Sequence, residues 1–494
     1  MLGFTAKELC DVCGGTIKGS ENNKILQALT TDTREITENF EENSQKVFVA
    51  LKGERFDGND FAEEACRKNV GAVVCSLDDE KAELILKSCG DSVSSIIIVN
   101  DTLKALGLIA KAYREKFDIP VAAVTGSVGK TSTKEMVAAV ISQKYNTLKT
   151  KANFNNEIGL PKTLLQLGEE HGAAVVEMGM RGLGEIEYLA NIACPSFGVI
   201  TNIGVAHLEL LGSRENILRA KLELGGAPSV KTVILNGDDE LLRDRDHVKE
   251  ILSEYGNSPE IIYFGTGVNC DVRATDIKED DFGYSFRLNL PNGEIAEAKV
   301  LIPGIHNVYN ALAAASCGYL CGLSTESIVS GIAGVNTENS VRQKIKTLEN
   351  GLTVIDDTYN AGPESMKASL YVLRSIAEKK GSRAVAILGD MLELGSMTEQ
   401  AHKDVGAAAA EAKVSLLITV GQTSQKFIAG GYMSKKTDGE VVTAETSEKA
   451  AEIMCEKLSK GDTILVKGSH AMNMSLVTKA LEKAVFDENE GRYR

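Results

Sequence analysis

The sequence predicts an α/β protein of three domains, the central one a parallel sheet around a phosphate-binding loop. Three observations carry this. The chain has 494 residues, too many for one hydrophobic core and suited to three domains of ~150 residues each. Strand-length apolar runs alternate with helical segments, as parallel sheets require. The stretch "VAAVTGSVGKTSTKEMVAAVISQKY" from Val121 to Tyr145 reads as strand, small-residue loop and helix, with Met136, Val137, Val140 and Ile141 on one helical face.

Taken in order, the first hundred residues mix the short strands "KVFVAL", "GAVVCS" and "SSIIIVN" with helical stretches such as "DFAEEACRKN", a small α/β domain over 1–100. Asp101 to Phe117 reads as a linking helix, and Pro120 sets up the strand into the loop. "GAAVVEMG", "FGVITNIG" and "KTVILNGD" continue a parallel sheet, each run ending in a small or polar residue where a crevice opens. A β-rich patch ("IIYFGTG", "YSFRLNL", "EAKVLIPG") and the helix "NVYNALAAASCGYLCG" complete a domain over 101–335. Residues 336–494 form a third α/β domain with strands "LTVIDDTYN", "RAVAILGDM", "SLLITVG" and "DTILVKGS", and "FDENEGRYR" reads as a frayed end.

Composition narrows the function. Hydrophobic residues at 43% and charged residues at 25% are ordinary for a globular protein. The net charge of −15 argues against a nucleic-acid or acidic-membrane partner. No apolar run approaches the ~20 residues of a membrane span, and "MLGFTAKELCDVCGG" lacks signal-peptide architecture. A cytoplasmic location without membrane insertion is expected. The ten cysteines are scattered; Cys10 and Cys13 form a C-x-x-C with no second pair to complete a zinc site, so they read as ordinary thiols.

The loop carries the chemistry. Backbone N–H groups of "TGSVGKT" and of the helix start would face anionic oxygens, Lys130 adds a full charge, and Thr131 offers a hydroxyl to Mg²⁺. The common pattern G-x-x-x-x-G-K-[ST] wants glycine at 124, where Val124 stands. Glu177 follows the strand "AAVV", where a carboxylate reaches a phosphate-bridging metal or is simply a solvated strand-end acid. His207 lies on the same crevice edge or is a structural histidine. Lys221, with Glu223 nearby, has the pattern of a solvated helix face, and "LNGDD" that of a strand-to-turn signal. Asp356 and Asp357 end a strand, suited to ribose hydroxyls or to helix capping.

These motifs fall together in one order. The T-G-S-x-G-K-T loop, "NFNNEIGLP", "GVITNIGVAHLE", "LNGDD", "IPGIHNVYNALAA" and "LGDMLELG" resemble the Mur ligase family of cell-wall synthesis from end to end, and that family's loop is the shorter form. The resemblance implies a uridine-nucleotide domain, a central ATPase domain and a Rossmann-like acceptor domain. It implies that Thr125, Gly126, Ser127, Val128, Gly129, Lys130, Thr131 and Ser132 cradle ATP phosphates, with Thr131, Glu177, His207 and a carbamylated Lys221 on Mg²⁺. Asn307 and Asn310 would lie beside adenine, Arg342 on phosphate and Asp357 on ribose. Thr31, Asp32, Thr33 and Arg34 would meet the uridine diphosphate, with Asn155 and Asn156 also on the substrate side. The resemblance makes Lys130, Glu177, His207 and Lys221 the expected catalytic set. The chain departs from the family pattern at Asn59, Leu222, Gly362 and His470.

Within the family, "IDDTYNAGPESM" and "GDMLELG" match the member that uses ATP to join D-alanyl-D-alanine to UDP-MurNAc-tripeptide. The D-N-P-R of the diaminopimelate-adding ligase is absent. The rivals are a sister ligase adding another amino acid, a folylpolyglutamate-synthetase-like ligase, which would lack the uridine-binding domain, and an inactive nucleotide-binding scaffold. A monomer is expected.

Overall fold

In the computed structural model, the described residues are 2–19, 23–53, 55–90, 95–280, 283–336, 343–487 and 492–493. Arg342 lies outside them. Three sheets follow one another along the chain. The first holds β1 (Thr16–Gly19), β2 (Ala28–Thr30), β3 (Lys46–Val49), β4 (Ala72–Cys75) and β5 (Ser95–Ile98), in the order β1-β5-β4-β3-β2 with only β1 antiparallel.

The second sheet has β6 (Val121–Thr125), β7 (Thr147–Lys149), β8 (Ala173–Glu177), β9 (Phe197–Ile200), β10 (Thr232–Asn236), β11 (Glu260–Gly265), β12 (Val272–Glu279), β13 (Tyr284–Asn289) and β14 (Ile295–Val300). Its order is β14-β13-β12-β11-β10-β9-β6-β8-β7. The strands from β7 to β12 are parallel, and β13 and β14 return antiparallel. Ala122 and Val124 of β6 enter one core and Val121 and Ala123 the other. Burial on both faces is why this strand is continuously apolar.

The third sheet has β15 (Lys344–Thr347), β16 (Thr353–Asp357), β17 (Ala384–Gly389), β18 (Leu416–Val420), β19 (Glu440–Ala444) and β20 (Thr463–Lys467), ordered β15-β16-β20-β17-β18-β19 with only β15 antiparallel.

The linking helix spans Thr102–Arg114, capped by Asp101. Leu106 and Ile109 share a core with Val47 and Val74 of the first sheet and with Leu160 and Ile186 of the helices Gly159–Leu164 and Glu185–Ala193, so the linking helix is packed on both sides rather than a tether.

Two sequence expectations change. β1, β2, β7, β12, β15 and β19 went unanticipated, and all but β12 are sheet edges; half-exposed edges carry no apolar run to read. The "frayed end" is also corrected. Phe486–Asp487 (β21) pairs with Arg492–Tyr493 (β22), and the Tyr493 ring is buried edge-to-face on Phe486 while its hydroxyl donates to the Asn350 carbonyl at 2.9 Å. No helix among the described residues is long and apolar enough to cross a membrane.

Candidate active site

β6 lies between β8 and β9, so the order of crossovers reverses there and a crevice opens beyond the carboxyl ends of these strands. The loop after β6, Glu177 at the end of β8 and the turn after β9 all reach this crevice. Val124 is fully buried and paired within β6; the strand runs through Thr125, and a β-branched residue suits its extended backbone better than glycine. The turn after β9 braces the loop. Thr201 Oγ1 and Asn202 Nδ2 donate to the Val128 carbonyl at 2.7 and 2.9 Å, Val128 N donates to Asn202 Oδ1 at 3.0 Å, and Gly204 N donates to Ser127 Oγ at 2.9 Å. Gly126 has φ +149°, and a Cβ there would fall 1.9 Å from Thr201 Oγ1. Asn202 was not anticipated; the "TNIG" turn was its only signal.

The loop opens the helix Lys130–Ile141. Lys130 folds back on its own loop, Nζ donating to the Gly126 and Ser127 carbonyls at 2.7 and 3.3 Å. Thr131 is buried in the first turn, and Ser132 is beside it, half-buried. On the neighbouring helix His306–Leu320, Asn310 accepts from Thr133 Oγ1 at 2.9 Å and donates to Asn307 Oδ1 at 3.0 Å, while Asn307 donates to the Pro303 carbonyl at 2.8 Å. Two linked amides thus tie this helix to the helix that follows the phosphate loop.

Glu177 is buried, and Asn155 Nδ2 donates to its Oε1 at 2.8 Å. Its Oε2 and Thr125 Oγ1 are buried with no hydrogen-bond partner. Asn156 instead caps the helix Gly159–Leu164, accepting from Gly159 N at 2.9 Å. His207 has φ +63°, and its Nδ1 lies 3.1 Å from Glu393 Oε2, without hydrogen-bond alignment. Burial foremost, then the Lys130 charge, lowers the His207 pKa. Lys221 is almost fully buried in the helix Arg214–Gly226, contrary to a solvated face, and burial followed by the Lys130 charge holds its ammonium well below the lysine range. Glu223 is not its partner. It is buried and accepts from Gly184 N at 2.7 Å and Glu187 N at 3.1 Å, capping the helix Glu185–Ala193.

No group of three His, Cys, Asp or Glu side chains is close enough to hold a metal ion among the described residues. The orphaned oxygens of Glu177 and Thr125 suit a hard cation such as Mg²⁺, which takes oxygen ligands and fills its shell with water and phosphate. Lys221 fits such a site only as an anion.

Elsewhere the predicted residues divide. Asp357 is buried with Lys467, Nζ to Oδ2 2.5 Å, and accepts from Ser369 Oγ at 2.7 Å; both its oxygen-directed roles compete with this pair. In the first domain Asp32 caps the turn Thr33–Glu35 and receives Arg34 at 2.9 and 2.5 Å, and this pairing draws its pKa down to about 2. Arg34 is exposed, Thr33 is buried and Thr31 half-buried. These follow β2 at the carboxyl end of that strand of the first sheet. Asn59 accepts from Ser76 N at 2.9 Å and donates to Asp57 at 2.7 Å. Tyr359 stacks edge-to-face on His470 at 6.0 Å. Two supports were missed: His402 Nε2 accepts from Met391 N at 3.0 Å, and Ser469 Oγ accepts from Leu392 N at 3.0 Å, pinning the loop that presents Glu393 at φ +62°.

A braced phosphate loop with an under-satisfied carboxylate beside it, faced by a second α/β domain, defines a nucleotide-using enzyme that brings two ligands together across domains. Comparisons agree. The Mur ligase middle domain model matches residues 124–318, and the Mur ligase, glutamate ligase domain model matches 341–470. The UDP-N-acetylmuramoyl-tripeptide–D-alanyl-D-alanine ligase of Bacillus subtilis is 36% identical over 97% of this chain and 99% of its own. MurF from Acinetobacter baumannii superposes with a TM-score of 0.83 at 30% identity, covering 97% of this chain and 99% of that one. MurF from Thermotoga maritima, in complex with ADP, superposes with a TM-score of 0.75 at 25% identity, covering 92% and 97%. The chain belongs to the Mur ligase family.

Proposed function

We propose that this protein is an ATP-dependent ligase that joins D-alanyl-D-alanine to UDP-N-acetylmuramoyl-tripeptide, in the cytoplasm, during peptidoglycan precursor synthesis. One observation carries the reading: the phosphate loop, the Asn155-held Glu177 and the third-domain loop bearing Glu393 converge on one crevice. Residues 1–100 take the uridine nucleotide, 101–335 the ATP and 336–494 the dipeptide, and the chain acts as a monomer.

An amide requires an activated carboxylate. The terminal carboxylate of the tripeptide attacks the γ-phosphorus of ATP, ADP leaves, and an acyl phosphate forms. Lys130 exchanges the Gly126 and Ser127 carbonyls for phosphate oxygens and stabilises the charge spread over the moving phosphoryl group. When bound, Mg²⁺ would neutralise phosphate charge and polarise the γ-phosphoryl group, held by Thr131, Glu177, His207 and a carbamylated Lys221. The dipeptide amine then attacks the acyl carbon, phosphate departs and the amine sheds a proton. Apposition of the two domains orients the amine and excludes water that would hydrolyse the acyl phosphate. The acceptor has no ionisable side chain, so its site needs no opposite charge beyond the groups for its termini.

Phosphate release on adding UDP-MurNAc-tripeptide with D-Ala-D-Ala, and little with free amino acids, is the expected result. Ligation of meso-diaminopimelate or L-lysine to UDP-MurNAc-dipeptide, with none of D-Ala-D-Ala, would replace this reading with a sister ligase.

A further inference from the structure

Besides the approach of Glu393 to His207, one carboxylate of the second domain gathers several groups of a third-domain helix. Glu279 ends β12, and its side chain receives three residues of the helix Pro363–Lys380: Tyr371 OH to Oε2 at 2.9 Å, Ser375 Oγ to Oε1 at 2.6 Å and Lys379 Nζ to Oε1 at 3.2 Å. Lys379 Nζ also donates to the Asp280 carbonyl at 2.6 Å, and Tyr284 OH, from β13, approaches Glu279 Oε2 at 3.3 Å. Tyr371, Ser375 and Lys379 are spaced i, i+4, i+8, so one face of the helix supplies all three donors. Burial raises the Glu279 pKa, but hydrogen bonds from Ser375, Tyr371 and Lys379 outweigh it and hold the group below the usual carboxylate range.

The same helix starts at the crevice. A Cβ added at Gly204 would lie 3.2 Å from Ser127 Cβ and 3.6 Å from the Glu364 carboxyl carbon, so the first turn of the helix meets the phosphate loop where glycine leaves room. From Glu364 to Lys379 is fifteen residues, about 22 Å of rigid rod at ~1.5 Å per residue. Gripping one end of such a rod fixes the direction of the other.

We propose that Glu279 is a positioning residue for the ligation: its clasp on Tyr371, Ser375 and Lys379 holds the third domain so that the segment Tyr359–Gly362 and the start of the helix face the phosphate loop. This rests on the function proposed above. An isolated exposed ion pair would contribute little; here two hydroxyls and an ammonium share one acceptor, and hydrogen bonds to charged groups are the stronger kind. Loss of the clasp lowers the fraction of molecules with the domains apposed, and apparent acceptor affinity falls by that fraction.

The test compares the full-length protein with Glu279→Ala, Glu279→Asp and, from the other side, Lys379→Ala and Tyr371→Phe. The Glu279→Ala variant is expected to raise KM for D-Ala-D-Ala on the order of tenfold, with KM for ATP and the melting temperature unchanged. Its ligand-free radius of gyration in small-angle scattering should increase. Glu279→Asp should recover part of both effects, and the two third-domain variants should shift them in the same direction. Unchanged dipeptide KM and scattering in Glu279→Ala would overturn the inference, as would an equal rise in KM for every substrate with a lowered melting temperature. Should the wild-type protein fail to use D-Ala-D-Ala, the proposed function falls, while the scattering comparison still decides whether Glu279 holds the domains together.

Discussion

Lys467 Nζ meets Asp357 Oδ2 at 2.5 Å, the two residues paired in register at the carboxyl ends of β20 and β16 and both almost fully buried. Lys467 also donates to the Asn360 carbonyl at 2.9 Å, so the pair anchors the loop that carries Tyr359. Removing one partner of such a pair leaves an uncompensated buried charge. Lys467→Met should therefore destabilise the protein by about 3–5 kcal/mol. In Lys467→Met/Asp357→Asn the loss should be well under the sum of the single changes. Chemical denaturation of all four proteins checks this; additive losses would show the pair to be uncoupled.

Lys130→Ala removes the cation that faces the transferring phosphoryl group. Turnover should fall by roughly 10²-fold to 10³-fold, with the fold retained, because the Lys130 bonds to the Gly126 and Ser127 carbonyls lie within its own loop. Steady-state phosphate release measures it, and near-normal turnover would remove this loop from the ATP site.

Lys221 is the candidate for carbamylation, since burial favours its neutral, nucleophilic amine. Lys221→Ala should be inactive and partly rescued by added short carboxylates. Protein equilibrated with ¹³C-bicarbonate should show a carbamate carbon by NMR that is lost in Lys221→Ala. An unlabelled lysine in fully active protein would count against it.

His402 supplies a pH dependence. Its Nδ1 lies 2.7 Å from the Thr398 carbonyl while Nε2 accepts from Met391 N, an arrangement only a neutral ring satisfies. Burial lowers its pKa from the ordinary 6.5, against smaller raising effects of Thr398 and Asp390. The unfolded chain thus binds the proton more readily, so this contribution is complete above pH 6.5 and is lost as pH falls through the depressed folded value. Denaturation midpoints at pH 8, 7, 6 and 5 should drop toward acid, and His402→Leu, less stable at pH 8, should drop less. Parallel pH curves for the two proteins would exclude His402.

Tyr493 is buried against Phe486 near the chain end. Tyr493→Ala should cost roughly 3 kcal/mol by cavity formation and loss of the bond to Asn350. Thermal unfolding tests it, and an unchanged midpoint would restore the view of a frayed terminus.

The fold was largely legible because strands buried on both faces must be continuously apolar: β6, β8, β9, β17, β18 and β20 all announce themselves. The edge strand β15, exposed or half-exposed along its length, has no such constraint and was silent. Likewise the loop from Gly126 to Thr131 was readable because phosphate binding demands small residues and a cation in consecutive positions.

What the sequence by itself determined was the class of chemistry and its chain order: a braced small-residue loop, a strand-end carboxylate, a downstream histidine and lysine, and three α/β segments. Tertiary structure alone decided which polar groups hold and which are free to act. Asn155 and Asn156 are neighbours in sequence, yet one orients Glu177 and the other caps a helix. Lys221 and Glu223 look like one solvated face and are buried with separate environments. Glu279, unremarkable in sequence, gathers three donors from a helix that begins 84 residues later. Local patterns report burial, because periodicity and apolarity are local; hydrogen-bond partners are not, because a donor and an acceptor meet only where the packing of distant elements brings them within 3 Å.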